Sequence, residues 1–439
     1  MFWKGVIRMG GNRQPSPHIY MTGISYDTAP LSIREELSIP KGRIPEALER
    51  LGRHVRCGVI LATCNRTEIY AIGNDKNPPA EPIRDFFCAW SGLPRDQLAP
   101  YLHTKGGLDA VRHLTETAAG LRSMIVGEWE IQGQVRRALQ SAEGAGMADP
   151  LLVKVFQHAS RVGGRVRDET DISRNALSVS SVAVKLASKI TGDIRGCRIV
   201  LIGAGQAGKL AARAFAQRGV ADIAIINRSP ECAAELARSV GGRSAALENL
   251  RAEMGSADIV ISCTGAPHAV VYCDIVADVM RKRPSRPLVL VDIAVPRDID
   301  PAVKQINGVH LYDIDDFMNV SKTHRRAREK EIAKAMSIID DEMARFTEQW
   351  RAMSAEPVID ALMQKAEGIR KRQFQITMKK LPPLSEEERE SIEAMTKSIV
   401  HKILHNPVEC LKNNGHDDGA MAETVKELFG IDVEASLKK

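Results

Sequence analysis

The sequence predicts an α/β protein of three parts: an α+β domain, a domain with a parallel sheet, and an all-helical domain on a long helix. In the first part, short apolar segments with turns precede a long helical region. Near-continuous apolar strands then alternate with helical segments over residues 198–320, the pattern of a parallel sheet buried on both faces. Residues 321–356 contain neither Gly nor Pro, and 439 residues are enough for about three domains.

The composition is that of a globular protein and narrows the function classes. Hydrophobic residues make up 44% of the chain and charged residues 26%. No segment approaches the roughly 20 apolar residues of a membrane span, and residues 1–17 lack the apolar run of a secretory signal. The eight cysteines are scattered, which predicts no metal site, no disulfide framework and a cytoplasmic location. A net charge of +6 permits a polyanionic partner without requiring one.

The first domain is expected over residues 18–175, after an extension over residues 1–17. Its predicted elements are a strand over 18–25, a helix over 44–51, strands over 59–62 and 68–72, a loop over 78–82, and helices from 109 to about 190.

A single cysteine, Cys64, follows the apolar segment 59–62 and is followed at once by polar and charged residues. A buried strand that ends at a reactive side chain delivers that side chain to a cleft. The neighbouring Arg66 is expected to favour the thiolate, the nucleophilic form of cysteine. The alternative interpretation is a small buried hydrophobe that serves packing.

The second domain, residues 176–320, carries a dinucleotide-binding fingerprint of the Rossmann type. The G-x-G-x-x-G motif follows a predicted strand over 198–202 and opens a predicted helix over 206–218, the context that binds a pyrophosphate at a helix N-terminus. Its six residues are Gly203, Ala204, Gly205, Gln206, Ala207 and Gly208.

The end of the next strand, 222–226, predicts which cofactor is bound. Asn227, Arg228 and Ser229 follow it, so no carboxylate opposes a ribose 2′-phosphate and Arg228 can pair with one, which favours NADPH over NADH. Thr264, after the strand 259–263, is expected to contact the nicotinamide half; an ordinary strand-to-loop turn is the alternative.

The third domain, residues 321–439, is predicted to be helical, with further helices over 358–380 and 385–403. Apolar residues at alternating spacings of four and three form a heptad seam, which favours an oligomerisation helix over a helix packed on its own domain. The seam residues are Ile332, Met336, Ile339, Met343, Phe346 and Trp350.

These segments together resemble the glutamyl-tRNA reductase family over residues 18–412. The most specific match is the sequence TCNRTE at 63–68, followed by HLTETAAGLRSMIVGEWEIQGQ at 113–134. Further matches are the segments 165–170 and 174–180, the glycine loop, 292–298 and 312–316, all in the order of the family.

The resemblance implies NADPH-dependent reduction of glutamyl-tRNA to glutamate-1-semialdehyde, the first step of tetrapyrrole synthesis by the five-carbon route. Cys64 would be the nucleophile, forming a glutamyl thioester that hydride then reduces. His113 would relay a proton or tune the thiol, and Arg66 would pair with a substrate carboxylate. The implied substrate-binding residues are Thr63, Asn65, Arg66, Ser123, Glu128 and Gln134.

The resemblance also implies partners: a homodimer through the C-terminal helices, and glutamate-1-semialdehyde aminomutase as the receiver of the product. Neither a membrane nor DNA is expected. Basic segments that could meet the tRNA are Arg161 with Arg165 and Arg167, 324–326, and 370–372, although any such run is more often a solvated helix face.

The sequence departs from the family pattern at four positions: Arg122, Trp129, Glu130 and Gly164. These departures leave two alternatives open. One is a thiol-independent reductase like shikimate dehydrogenase, and the other is a divergent member that binds tRNA or a partner without turnover.

Overall fold

The computed structural model describes residues 19–73, 78–174, 179–317, 325–326, 328–413 and 420–431. The chain divides into two compact units, one over His18–Ile339 and one that contains Asp340–Lys439. The predicted extension over 1–17, the family segment at 175–178 and His324 lie outside the described residues. Within the described residues, no helix combines the length and apolar character that crossing a bilayer requires.

The first unit begins with a four-stranded antiparallel sheet in the order β2-β3-β1-β4. Pairing of Ala62 with Thr67 makes residues 63–65 the turn between the second and third strands. This register fixes the cysteine at the end of the sheet. The strands are β1 Ile19–Ser25, β2 Gly58–Ala62, β3 Arg66–Ile72 and β4 His103–Gly106.

Seven helices accompany this sheet within the described residues. Asp149 caps α7 by accepting a hydrogen bond from the Leu151 amide at 2.8 Å, and Gly163 lets α7 approach the carbonyl of Ala118 at the end of α5. The helices are α1 Leu31–Glu36, α2 Ile44–Leu51, α3 Ala80–Ser91, α4 Arg95–Leu98, α5 Gly107–Ala118, α6 Glu130–Gly144 and α7 Pro150–Glu169. The predicted loop over 78–82 was wrong in part, because α3 already begins at Ala80.

The second half of this unit is a six-stranded parallel sheet in the order β10-β9-β8-β5-β6-β7, which confirms the predicted parallel sheet of a Rossmann-type domain. Apolar clusters cover both of its faces. Its strands are β5 Arg198–Ile202, β6 Asp222–Ile226, β7 Arg243–Ala245, β8 Ile259–Ser262, β9 Leu288–Asp292 and β10 Val309–Tyr312. Its helices are α8 Val179–Thr191, α9 Gln206–Ala216, α10 Pro230–Val240, α11 Leu250–Ser256 and α12 Cys273–Arg281.

The C-terminal region is helical, as predicted, but its helices are longer than expected. One long helix covers Glu329–Met378 without a break at Pro357, and the next two cover Glu386–Asn413 and Ala420–Phe429. The predicted end at residue 356 was therefore wrong. A proline disfavours a helix interior by about 3 kcal/mol, a cost that packing along a long helix can offset.

The heptad seam is already covered within a single chain at most of its positions. Ile339, Met343, Phe346 and Trp350 are each at most 9% exposed. Other apolar side chains of the same region are exposed instead, among them Met395 at 56% and Ile403 at 65%. Most seam positions are thus buried, and the exposed apolar side chains belong to a different set of positions.

Candidate active site

The turn that carries Cys64 is held by the hydroxyl of Thr63. This oxygen accepts hydrogen bonds from the amides of Asn65 at 3.1 Å and Arg66 at 3.2 Å, while the Thr63 amide donates to the Arg66 carbonyl at 2.8 Å. Such a side-chain turn fixes the backbone without a glycine. Thr63 therefore shapes the turn, a structural role that the family resemblance does not describe.

Arg34, a residue that sequence reasoning missed, holds the Cys64 backbone from α1. Its Nη1 donates to the Cys64 carbonyl at 2.9 Å, and its Nη2 forms an ion pair with Asp315 from the parallel-sheet half. The guanidinium is almost fully buried. A second ion pair joins neighbouring Glu35 to Arg297 across the same interface. One short helix therefore ties the cysteine turn to the nucleotide-binding half.

The thiol of Cys64 lies in a half-buried position against the apolar cluster beside the parallel sheet. Burial and the nearby charge of Glu128 raise the pKa of Cys64 to about 12, and Arg34 opposes the rise. The charged groups that shift this pKa most are Glu128, Arg34 and Glu130, so the expected effect of Arg66 on the thiolate stays a prediction. These surroundings favour the thiol over the thiolate.

Arg66 is engaged inside the protein. Its Nη1 donates to Glu68 Oε1 at 2.8 Å and to the Thr117 hydroxyl at 3.3 Å, and its Nη2 donates to the Arg122 carbonyl. Burial alone would raise the pKa of Glu68, but Arg66 and His113 hold it well below its usual range. The guanidinium predicted to pair with a substrate carboxylate thus already has a carboxylate partner.

His113 belongs to the same buried network. Its Nε2 lies 2.9 Å from Glu68 Oε1, and its ring meets the ring of His103 edge to face at 6.0 Å. Gly23 makes this approach possible, since it pairs with Glu68 on one side and His103 on the other, and a Cβ there would lie 2.4 Å from the Thr67 carbonyl oxygen. Sequence reasoning missed His103, whose pKa burial lowers to about 4.

Glu68, His103 and His113 place one ligand atom each within 4.8 Å of one another, a spacing suited to a metal ion. The carboxylate is already satisfied by Arg66, His113 and Tyr70, whose hydroxyl donates to Oε2 at 2.7 Å. A divalent cation would have to displace these bonds beside a guanidinium. The cluster therefore fits a proton-sharing network better than a metal centre.

The remaining predicted substrate-binding residues differ in their burial and in their hydrogen-bond partners. Ser123 is buried, and its carbonyl accepts a weak hydrogen bond from the Tyr26 hydroxyl at 3.4 Å. Asn65 is buried with its Oδ1 unpartnered among the described residues. Burial, with help from Glu130, raises the pKa of Glu128 to about 7. Gln134 faces a separate cavity that is described below.

The family departures have local explanations. Arg122 turns away to pair with Glu116 at 2.7 Å and offers only its carbonyl to Arg66. Trp129 is exposed, and Glu130 accepts a hydrogen bond from Gln206 at 3.3 Å. A Cβ at Gly164 would lie 3.3 Å from the Gln132 amide, so a lysine there would crowd that side chain.

The glycine loop has the geometry that its motif predicts. Gly203 adopts a φ of 107°, and a Cβ at Gly208 would lie 2.1 Å from the Gly203 oxygen, so both positions require glycine. A Cβ at Gly205 would meet no atom of the described protein, which leaves space for a ligand to approach the backbone. Gln206 and Ala207 begin α9 and are exposed.

A cavity of about 630 Å³ lies beside this loop and fits a dinucleotide. Asn227 holds the loop, since its Oδ1 accepts from the Ala204 amide at 3.2 Å, and Ser229 caps α10. Arg228 is exposed at the cavity without an ion pair in the described residues. Arg228 is therefore available to pair with its predicted partner, the 2′-phosphate of the cofactor ribose.

Thr264 also lines this cavity, but its hydroxyl donates to Asp298. The buried Asp298 accepts hydrogen bonds from the Ser262 hydroxyl at 2.7 Å and the Thr264 amide at 2.6 Å as well. The hydroxyl and the backbone amide of Thr264 thus both serve to hold the loop.

Most of the basic residues proposed to meet tRNA have partners inside the chain. Arg165 pairs with Glu169 at 2.6 Å, and Arg167 donates to Gln132 at 2.6 Å. The guanidinium of Arg370 is 4% exposed and pairs with Glu367. Arg325 and Arg326 are exposed. Their contacts do not distinguish any one of these positions as a contact to RNA.

The fold and site define the class first: a dehydrogenase-like oxidoreductase in which a cysteine turn is tied to a dinucleotide-binding domain. Family models agree with each part. Residues 22–170 match the N-terminal domain of glutamyl-tRNA(Glu) reductase, residues 185–320 match shikimate / quinate 5-dehydrogenase, and residues 334–431 match the dimerisation domain of glutamyl-tRNA(Glu) reductase.

Whole-length relatives narrow the class. The glutamyl-tRNA reductases of Syntrophotalea carbinolica and Pelotomaculum thermopropionicum are 38% and 39% identical to this chain over 418 and 429 residues, which is 94% and 96% of both proteins in each comparison. The solved glutamyl-tRNA reductase of Methanopyrus kandleri is 30% identical, with a TM-score of 0.52 over 94% of this chain and 99% of that one. The chain belongs to the glutamyl-tRNA reductase family.

Proposed function

We propose that this protein reduces glutamyl-tRNA(Glu) to glutamate-1-semialdehyde with NADPH through a thioester on Cys64. This reaction is the first step of tetrapyrrole synthesis by the five-carbon route. The observation that carries the proposal is the pair of contacts made by Arg34. They connect the turn that contains Cys64 to the domain that contains the glycine loop. Whole-length relatives named for this activity support it.

The residues of the cysteine turn account for the acyl transfer. Loss of the thiol proton gives a thiolate that attacks the ester carbonyl, and the 3′-oxygen of the tRNA leaves with a proton. Burial raises the pKa of Glu128 to about 7, close to the value that suits a general base at neutral pH, and Glu128 is the charged group that shifts the thiol pKa most. We assign Glu128 the proton-accepting role, and His113 the role of orienting Glu68.

The nucleotide-binding half accounts for the reduction. Gly203, Gly205 and the start of α9 would hold the pyrophosphate, and Arg228 the 2′-phosphate. Bound there, NADPH supplies hydride. A thioester accepts hydride more readily than a carboxylate does, and departure of the Cys64 sulfur from the reduced acyl group frees the aldehyde.

A homodimer is the assembly that we propose. Exposed apolar side chains recur at helical spacings on two C-terminal helices, at Ile369 and Ile376 and at Met395, Ile399 and Ile403. A charge at one of these positions, Ile399→Glu, is expected to give monomers in sedimentation. Transfer of the aldehyde to glutamate-1-semialdehyde aminomutase, and the cytoplasmic location, stay predictions.

A single-turnover reaction tests the chemistry. The native protein and Cys64→Ser receive glutamyl-tRNA labelled in glutamate, without NADPH. We expect a hydroxylamine-sensitive protein adduct only with Cys64, which NADPH then discharges to an aldehyde. Reduction that persists in Cys64→Ser would favour a thiol-independent reductase, and tRNA binding without any adduct would favour a non-catalytic binder.

A further inference from the structure

A second cavity of about 510 Å³ lies beside the cysteine turn, separate from the glycine-loop cavity. Its walls come from strand β2, helix α6 and the segment between α1 and α2, with Gln206 from the nucleotide-binding half at one edge. Neither Cys64 nor the buried Glu68 network lines it. Apart from Gln206 at the start of α9, the reactions described above give its lining residues no role.

The lining combines three kinds of surface. Ile60 belongs to an apolar wall, and Gln134 and Gln206 supply amide groups. Lys41 and Arg137 are exposed at the cavity, and neither forms an ion pair with a described residue, although Glu130 lies near enough to Arg137 to interact with its charge. No acidic side chain is part of the lining. Apolar faces, amides and free cations together suit a nucleobase with an adjacent phosphate.

The position of the cavity relative to the nucleophile limits what can occupy it. Ala62 lines the wall, and Cys64 follows two residues later along the chain. Two residues of extended chain span at most about 7 Å. A group held in this cavity is therefore close enough to be part of the molecule whose acyl carbon meets the Cys64 sulfur.

We propose that this cavity binds the 3′-terminal adenosine of the aminoacylated tRNA, with Lys41 and Arg137 facing the phosphates of its single-stranded end. The inference rests on the proposed function, since the ester attacked by Cys64 joins glutamate to the ribose of that adenosine. The nicotinamide ring of the cofactor is a poorer occupant, because the reduced ring is uncharged and offers no anionic partner to the two cations that face the cavity.

A double-mutant cycle between protein and RNA tests the assignment. The probes are deacylated tRNA(Glu) and the same tRNA without its terminal adenosine, and the full-length protein carries Ser141→Trp, which fills the cavity from an exposed lining position. We expect removal of the adenosine to weaken binding to the native protein about tenfold, or about 1.4 kcal/mol. We expect Ser141→Trp to bind both tRNAs equally.

Salt dependence tests the two cations separately. Lys41→Ala and Arg137→Ala are each expected to lower the slope of log Kd against log salt by about 0.7, the value for one phosphate contact of a single strand. Arg136→Ala is the matched control, because Arg136 is exposed beside Arg137 on α6 but lies outside the cavity. The Arg136→Ala variant should keep the native salt slope and the tenfold loss of affinity on removal of the terminal adenosine.

Two results would overturn the assignment. One is an equal loss of affinity on adenosine removal in the native protein and in Ser141→Trp, and the other is a rise in the KM for NADPH in the cavity variants. The outcome is separable from the proposed function. If the native protein forms the Cys64 adduct while the cycle shows no coupling, only the adenosine site is wrong; if no adduct forms, the reaction itself is wrong.

Discussion

The cysteine turn and the glycine loop are both short connections at the ends of strands, yet they differ in how complete they are. The glycine loop is ready for its ligand: Gly205 leaves the backbone open and Arg228 has no competing partner among the described residues. At the cysteine turn, burial raises the pKa of the thiol to about 12 and Arg66 is paired with Glu68. The cofactor site is thus preformed. At the cysteine turn, by contrast, the charges of the protein do not stabilise the thiolate until the substrate is bound.

The largest expected effect comes from the buried charges beneath the cysteine turn. Glu68→Gln leaves the Arg66 guanidinium without its counter-charge, so we expect a loss of about 3–5 kcal/mol in the free energy of unfolding, measured with urea. Glu46→Gln is the control, since Glu46 pairs with Arg43 at the exposed surface and should change little. Equal effects of both variants would mean that burial of the pair between Glu68 and Arg66 adds nothing to its effect on stability.

The same network gives a dependence on pH. Because Arg66 and His113 hold the pKa of Glu68 below its usual range in the folded state, its stabilisation is present above the pKa of an unfolded glutamate, about 4.3. It is lost as the pH falls below that value. As the pH falls below 5, the free energy of unfolding of the native protein should therefore decrease more steeply than that of Glu68→Gln. Urea unfolding at each pH measures both.

Paired substitutions in the glycine loop give the next effect. Gly208→Ala places a Cβ against the Gly203 oxygen, so we expect a loss of about 1–3 kcal/mol in stability together with cofactor binding. Gly205→Ala meets no described protein atom, so its thermal midpoint should stay close to the native one while NADPH affinity falls. A destabilised Gly205→Ala would show that the loop is not preformed around an open site.

Arg228 provides a test of cofactor choice. Arg228→Ala should raise the KM for NADPH about ten- to hundredfold, the value of one hydrogen-bonded charge pair, and leave the KM for NADH nearly unchanged. Steady-state kinetics with both cofactors measure the two values. Equal loss with both would mean that Arg228 contacts a group common to them.

The smallest expected effect concerns the thiol itself. Glu128 raises the pKa of Cys64, and its own pKa is about 7, so Glu128→Gln should speed alkylation of Cys64 several-fold above pH 7. Mass spectrometry of the peptide that contains Cys64 follows the rate among the eight cysteines. Arg34→Met should slow it. A rate unchanged in both variants would mean that neither charge reaches the thiol.

The parts that sequence reasoning located correctly are those that local pattern determines. The strands at 198–202 and 222–226 have the predicted bounds, because a parallel strand buried on both faces is a continuous apolar run. The glycine loop was located for the same reason, since its function lies in backbone space that glycine spacing records.

The partners of the charged side chains could not be predicted in this way. Arg34 belongs to a six-residue helix without a clear period, and Asp315 lies 281 positions away. The proximity of Glu68 and His103 depends on a register in which Gly23 separates them, which only strand pairing reveals. These contacts are non-local, so no pattern within one segment of the sequence records them.

The bond network of α1 has a consequence for building hybrids of this protein. Arg34 and Glu35 from the first half meet Asp315 and Arg297 from the second, so the two halves share matched charges at their border. A chimera that joins the cysteine-bearing half of one relative to the nucleotide-binding half of another inherits a working border only when both pairs are transplanted together. A swap that ignores them leaves Arg34, which holds the Cys64 backbone, without its Asp315 partner.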